Sequence, residues 1–317
     1  MWMQRVSSHR RICPRTVIAL LAAVLWNMPM TVSAASPATV YFPSEDGTEL
    51  VGYLFQPPGD SGTPHPAIIM LHGRSGPYSS NINARCSRIG RDVSSPCHAG
   101  TLSQRHKMWG EYWANHGYLA LHVDSFGPRE RAHGYGRNSH DLPERQAVNE
   151  MTVRPLDAEG ALAYLASRND VRKDQIMLQG WSNGGSTALN VMYRQAQGDS
   201  SVAPLRFRAA LVFYPGCGAR SILTRRYRSD TEVWIFLAES DEEVSPRNCL
   251  AVMPSDDPAS LVKVIEYHGA THDFDDPGRA RQSIVENRAA KEDVMQRASL
   301  LFDSLTIIAA PPAGKDN

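Results

Sequence analysis

The run Gln179-Gly180-Trp181-Ser182-Asn183-Gly184-Gly185 carries a serine whose neighbours suit nucleophilic chemistry. It follows the short apolar stretch Gln175 to Leu178 and leads into helical apolar spacing, so it reads as G-x-S-x-G at a strand-to-helix turn. Glycines there remove the side chains that would block so tight a bend and leave the serine oxygen exposed above the sheet. A serine at its free pKa is a weak nucleophile; it needs a histidine to take its proton and an acid to fix the imidazole tautomer. Both types follow. The run Val233 to Leu237 enters Ala238-Glu239-Ser240-Asp241, and a later run ends in Tyr267-His268-Gly269-Ala270-Thr271-His272-Asp273-Phe274. Ser182 would then be the nucleophile, His272 the base and Asp241 the acid, each just past the carboxyl end of its own strand.

Neighbouring residues compete for these roles. His268 could be the base, but it directly follows the last apolar residues of its strand and reads as structural. Glu239, Glu242 and Glu243 crowd Asp241; any could be the acid, or all could form a solvated acidic loop. Asp273, Asp275 and Asp276 beside His272 could suggest a metal cluster, yet Pro277 follows and a helix starts there, so they read as helix caps. Trp181 either packs on the sheet or touches an aromatic substrate. Arg129, Arg131 and Arg137 lie in a long polar stretch and could attract an anionic substrate.

The elements that must position these side chains are legible in the apolar pattern. Thr39 to Phe42 and Leu50 to Phe55 alternate around Asp46-Gly47, which predicts an opening antiparallel hairpin. Ala67 to Leu71 is continuously apolar and ends in His72-Gly73, as a strand buried on both faces would. Similar runs recur at Tyr118 to Val123, Ile176 to Leu178, Ala209 to Phe213, Val233 to Leu237 and Leu261 to Ile265. Helical spacing lies between them at Met108 to Asn115, Leu156 to Ser167 and Gly184 to Gln195, with a last helix from about Arg279 to Leu305. Such alternation predicts an α/β fold: a mostly parallel central sheet with helices on both faces. Two polar stretches, 74–104 and 127–153, interrupt it and leave the sheet at strand carboxyl ends, where open α/β folds place ligands.

Residues 1–34 have the layout of a secretory signal peptide: Arg5, Arg10, Arg11 and Arg15, an apolar run from Val17 to Trp26, then Val32-Ser33-Ala34. The run is shorter than the roughly 20 residues a membrane span needs. Cleavage after Ala34 would leave one domain over 35–308 and an Ala/Pro tail at 309–317. Lys+Arg and Asp+Glu both number 33, so no polyanionic partner such as nucleic acid is implied, and no second stretch is long and apolar enough to cross a bilayer, so no membrane association is expected after cleavage. Removal of Cys13 leaves Cys86, Cys97, Cys217 and Cys249, an even set that an oxidising compartment would pair. Three pairings are possible, as are free thiols. Cys86 with Cys97 would staple one polar loop, and Cys217 with Cys249 would tie two loops beside the site. The lack of a C-x-x-C pair argues against zinc.

In chain order the serine, acid and histidine match α/β-hydrolases, and the chain resembles the dienelactone hydrolase family in an exported, serine-containing form. The matching pieces are Leu71-His72-Gly73-Arg74-Ser75-Gly76, Val123-Asp124-Ser125-Phe126-Gly127-Pro128-Arg129, the Ser182 turn, Phe213-Tyr214-Pro215-Gly216-Cys217 and Tyr267 to Phe274. The resemblance implies an α/β-hydrolase fold, the triad Ser182, Asp241 and His272, and an oxyanion hole from the backbone N–H groups of Asn183 and Arg74. Arg129 roughly matches a carboxylate-binding arginine of the family. Founding members have cysteine at Ser182, glutamate at Gly73 and an arginine where this chain has Asp275 and Asp276, departures that point away from a dienelactone as substrate. Expected, then, is cleavage of a small-molecule ester or lactone through an acyl-serine, with no cofactor required. A peptidase or amidase on the same fold is the alternative, and a non-enzymatic binding protein a more distant one.

Overall fold

The structure, a computed structural model, describes residues 36–59, 62–253 and 260–308. The expected leader at 1–34 and tail at 309–317 lie outside them.

Eight strands form a single sheet: β1 (Ala38–Pro43), β2 (Glu49–Phe55), β3 (His65–Leu71), β4 (Leu119–Asp124), β5 (Val171–Trp181), β6 (Ala209–Phe213), β7 (Glu232–Ala238) and β8 (Val262–Tyr267). Their spatial order is β1-β2-β4-β3-β5-β6-β7-β8. β1 and β2 are antiparallel, as are β2 and β4, while β4, β3, β5, β6, β7 and β8 run parallel. The opening hairpin turns where Asp46 Oδ1 accepts from Thr48 N at 2.9 Å and Gly47 takes a φ of 86°.

Parallel strands need crossover helices, and these cover both faces. On one face lie α3 (Arg154–Ser167) and α4 (Asn183–Gln197), whose Leu162, Leu165, Leu189 and Met192 pack on Ile69, Leu71, Leu178 and Val212. On the other lie α1 (Gln104–Asn115) and α7 (Val285–Ile308), whose Trp109, Trp113, Val294 and Phe302 pack on Ile68, Met70, Met177 and Phe213. Alternate residues of one strand therefore feed opposite cores, which explains why the central runs are apolar without a break. The short α2 (Pro143–Gln146), α5 (Pro246–Leu250) and α6 (Arg279–Gln282) sit in connections.

β5 and the final helix differ most from the sequence expectation, and α1 starts a turn earlier, at Gln104, where the Ser103 side chain accepts from His106 N. β5 starts at Val171, ahead of its apolar run, because Val171 already pairs with His65 and the sheet's end can carry polar side chains. The final helix is two pieces, α6 and α7: the Arg281 and Gln282 carbonyls accept from the side chains of Asn287 and Arg288, and the backbone bends between them.

Register decides what meets at the sheet edge. Leu71 lies opposite Gly180, Trp181 opposite Phe213, Phe213 opposite Phe236, and Ala238 opposite Tyr267. The segments that begin at His72, Ser182, Tyr214, Glu239 and His268 thus leave the sheet along one rim.

Candidate active site

Ser182 joins β5 to α4 with φ 52° and ψ −113°, a conformation a non-glycine residue holds only when its surroundings impose it. Ser182 N donates to Phe213 O at 2.9 Å, and Ser182 O accepts from Ser186 N at 2.9 Å. The flanking glycines are required by close approach. A Cβ on Gly180 would strike the Gly184 carbonyl, and one on Gly184 would strike the carbonyls of Leu71 and His72.

Beyond β7, Asp241 Oδ2 stands 2.7 Å from His272 Nδ1, both side chains being 2 % exposed. The other oxygen, Oδ1, accepts from Glu243 N and Val244 N at 2.8 Å each, so the carboxylate is held from two sides. A carboxylate only accepts; Nδ1 of the neutral ring must carry the proton, and Nε2 is left as the basic nitrogen. Burial works against the charged ring, but the Asp241 hydrogen bond and the charges of Asp273, Asp241 and Glu243 outweigh it and raise the His272 pKa. No hydrogen bond joins Ser182 Oγ to His272 among the described residues. Glu243 Oε2 lies 3.9 Å from Nε2, and Arg74 and Arg137 donate to the Glu243 carboxylate at 2.7 and 2.8 Å. Ser182 and Glu243 line the same cavity, of about 300 Å³.

Behind the ring is a buried polar floor. The Tyr214 ring packs 4.6 Å from that of His272. Tyr214 Oη donates to Asp275 Oδ1 at 2.5 Å, and Trp109 Nε1 and Trp181 Nε1 both donate to Asp275 Oδ2 at 2.8 Å. Arg105 donates to Tyr214 Oη at 3.0 Å and pairs with Asp273.

A second buried group spans the residues expected to hold an oxyanion. Arg154, fully buried, donates from Nη1 to Asn183 Oδ1 and from Nη2 to His72 O at 2.9 Å. Burial pulls its pKa down to about 10. Among the described residues no carboxylate pairs with it; the guanidinium lies over the Phe126 ring at 5.0 Å instead. The backbone N–H groups of Arg74 and Asn183 are free of a protein acceptor among the described residues, Asn183 because the first N–H groups of a helix have no intrahelical partner.

Several expected residues go elsewhere. Arg129 is not brought to the cavity: it is committed to Asp157 at 2.8 Å, to Asp46 at 2.7 Å and to the Ser125 carbonyl. Trp181 is fully buried and packs under the sheet rim, its N–H spent on Asp275, so it has no face for a substrate. His268 is 92 % exposed and paired with Glu239 at 2.6 Å, which makes it neither a buried structural histidine nor a partner of Ser182. Glu242 accepts from His272 N and from Arg281. Of the acidic trio after His272, none caps α6, which has no side-chain cap; Asp276 accepts from Gly278 N instead. Arg131 faces Glu144, whereas Arg137 does line the cavity. Disulfides join Cys86 to Cys97 and Cys217 to Cys249. Arg105 and Arg154 escaped sequence reasoning, and Tyr214 and Asp275 were noted there without this role, because their weight comes from burial, which no local pattern encodes.

Strand order, the tight Ser182 turn and the covered mixed sheet define an α/β-hydrolase fold. The profile of the dienelactone hydrolase family matches residues 99–306, and the chain belongs to that family. No curated protein matches it. Among solved structures it is similar to a dienelactone hydrolase-like promiscuous phosphotriesterase from metagenomic libraries, with TM-score 0.59 and 19% identity over 86% of this chain and 99% of that one. A thermophilic esterase from Thermogutta terrifontis gives TM-score 0.53 and 17% identity over 88% and 97%. A puromycin-hydrolyzing peptidase from Mycobacterium tuberculosis gives 0.54 and 16% over 85% of this chain and 40% of that one. At such identities the likeness is one of fold.

Proposed function

We propose that the protein is a serine hydrolase that cleaves a carboxylic ester or lactone through an acyl-serine intermediate. The observation that carries this reading is the 2.7 Å bond from His272 Nδ1 to Asp241, at the same sheet rim as the strained Ser182 turn. His272 Nε2 takes the Ser182 proton as Oγ attacks the acyl carbon, and the N–H groups of Asn183 and Arg74 receive the charge that develops on the carbonyl oxygen. The ester C–O bond breaks, the alcohol leaves with that proton, and the acyl group stays on Oγ. Water then loses a proton to Nε2, attacks the acyl carbon and releases the acid; the proton returns to Ser182. The step requires Ser182 Oγ and His272 Nε2 to come within hydrogen-bond reach when substrate binds, as the looser catalytic hydrogen bonds of free enzymes commonly do.

Amide cleavage on the same machinery is the second reading, favoured by the peptidase among the similar folds. The two disulfides and the leader layout support action in the periplasm or outside the cell. No helix among the described residues is long and apolar enough to cross a membrane.

A fluorophosphonate label with peptide mapping, run beside hydrolysis of p-nitrophenyl acetate and of short peptides, tests the reading. Label on Ser182, ester turnover without peptide cleavage, and loss of both label and turnover in a folded Ser182→Ala variant are expected. Full activity in that variant overturns the proposal.

A further inference from the structure

The wall of the cavity beside Ser182 differs from that of an ordinary ligand pocket, which is lined mainly by apolar and aromatic side chains. Val244 is the only apolar side chain among its lining residues, no Phe, Tyr or Trp ring is among them, and the one ring that is, the His140 imidazole, is polar and stands 3.2 Å from Glu150. A fatty acyl chain or an aryl group placed there would strip water from polar groups without replacing the lost hydrogen bonds, a cost that rejects such a ligand.

The charges in this wall are already matched. Arg74 and Arg137 share the Glu243 carboxylate, and Arg145 Nη2 donates to Glu150 at 3.1 Å. Three arginines, Arg74, Arg137 and Arg145, thus face three glutamates, Glu150, Glu242 and Glu243. An anionic substrate group would have to displace Glu243 or lie beside it, and a cation would meet the guanidinium groups. Hydroxyl groups fit both partners, since each one donates to a carboxylate oxygen and accepts from a guanidinium N–H at once. Donors are also left over. Arg145 is 2 % exposed, and its Nε and Nη1 have no partner among the described residues. The volume of about 300 Å³ is at the lower end of the range of roughly 300–1,000 Å³ for small-molecule sites.

We infer that the cavity takes a small, uncharged, hydroxyl-rich group, so that the substrate is an ester of a monosaccharide or a comparable polyol. The inference rests on the serine-hydrolase reading and narrows it to a substrate class. It places Arg74, Arg137 and Glu243 as specificity-determining residues, the guanidinium–carboxylate cluster exchanging part of its internal pairing for the hydroxyls of the ligand.

Three acetates with unactivated leaving groups test it: 6-O-acetylglucose, ethyl acetate and O-acetylglycolate, with p-nitrophenyl acetate and p-nitrophenyl octanoate alongside. The expected result is a kcat/KM for the glucose ester at least tenfold above those of the ethyl and glycolate esters, with the octanoate a poor substrate. Arg137→Leu, at a half-exposed position outside the core, should lower the glucose-to-ethyl ratio about tenfold. Preference for the octanoate, for ethyl acetate or for the anionic glycolate ester overturns the inference, as does an unchanged ratio in Arg137→Leu. Turnover of p-nitrophenyl acetate with label on Ser182 but no preference for the sugar ester defeats the substrate class and spares the serine hydrolase. Absence of both turnover and label defeats the two together.

Discussion

At the scale of single residues, the chemistry depends on groups that hold the reacting atoms as much as on those atoms. Arg154 is the clearest case, because one buried guanidinium bonds the Asn183 side chain, next to Ser182, and the His72 carbonyl, two residues before Arg74, and so touches both arms of the proposed oxyanion hole. A buried guanidinium with no direct ion pair is costly, and two fixed acceptors on separate segments, with the charges of Asp157 and Glu150 near it, offset that cost. In Arg154→Lys a single ammonium cannot span both, and kcat should fall about tenfold to a hundredfold with little change in KM. If kcat per labelled active site stays constant while only thermal stability drops, Arg154 is merely structural. His272 yields a prediction with a sign. Its raised pKa means that the neutral, basic ring predominates only above the ordinary histidine value of about 6.5. The acid limb of kcat/KM should therefore lie above that value, and Glu243→Gln, which removes one raising charge, should move it to lower pH. A limb that moves upward in this variant would contradict the assignment.

At the scale of elements, the site is a product of strand ends and of the loops tied to them. The glycines around Ser182 were readable as a turn, and the structure adds what they approach: Gly184 lies against the end of β3, so the Ser182 turn and the His72-Gly73-Arg74 segment are set against each other by a single contact. The Asp241 and His272 segments needed only the ends of their strands to be found, since β7 and β8 are neighbours with Ala238 level with Tyr267. Which carboxylate in the Glu239 to Glu243 run would meet His272 was open in the sequence, because four adjacent acids differ by backbone direction alone. Two backbone N–H groups gripping Asp241 Oδ1 settle that direction. The loop carrying this acid leads into α5, where Cys249 is bonded to Cys217 across a separation of 32 residues. Closing a loop of that length restricts the unfolded chain by about 3–4 kcal/mol. The Cys217→Ala/Cys249→Ala variant should lose at least that much in denaturant unfolding, with a native far-UV circular dichroism spectrum before the transition. Unchanged stability would mean that the bridge does not form in the purified protein.

At the scale of the whole molecule, the sheet separates two cores, and the polar floor behind His272 belongs to only one of them. Asp275 receives the indoles of α1 and β5 together with Tyr214, so one buried carboxylate of the His272 loop links a covering helix and the strand that leads into Ser182. Arg105 of α1 extends the link to Asp273. Burial alone would raise the Asp273 pKa, but Arg105 and the other nearby positive charges hold it well below the usual carboxylate range. A depressed folded pKa contributes stability above the unfolded value that is lost as pH falls. The raised pKa of His272 has the opposite sign, contributing stability below the unfolded value that is lost as pH rises through the folded one. The unfolding temperature should therefore decline on acidification below about pH 4, where unfolded aspartates protonate, and Arg105→Met should flatten that decline. An equal acid slope in Arg105→Met would remove Asp273 as its source.

The order of strands and helices, the turn at Ser182 and the distant histidine were determined by the amino-acid sequence, because apolar period, glycine placement and chain order are local or one-dimensional properties. Only the tertiary structure decided that Arg129 and Trp181 are occupied elsewhere, that Asp273 and Asp275 hold the floor of the site in place of capping a helix, and that a cavity of paired charges lies beside the serine. Those outcomes depend on which side chains lose water together and which partners they then find, and strand register, set by packing across the whole sheet, is what brings them into reach.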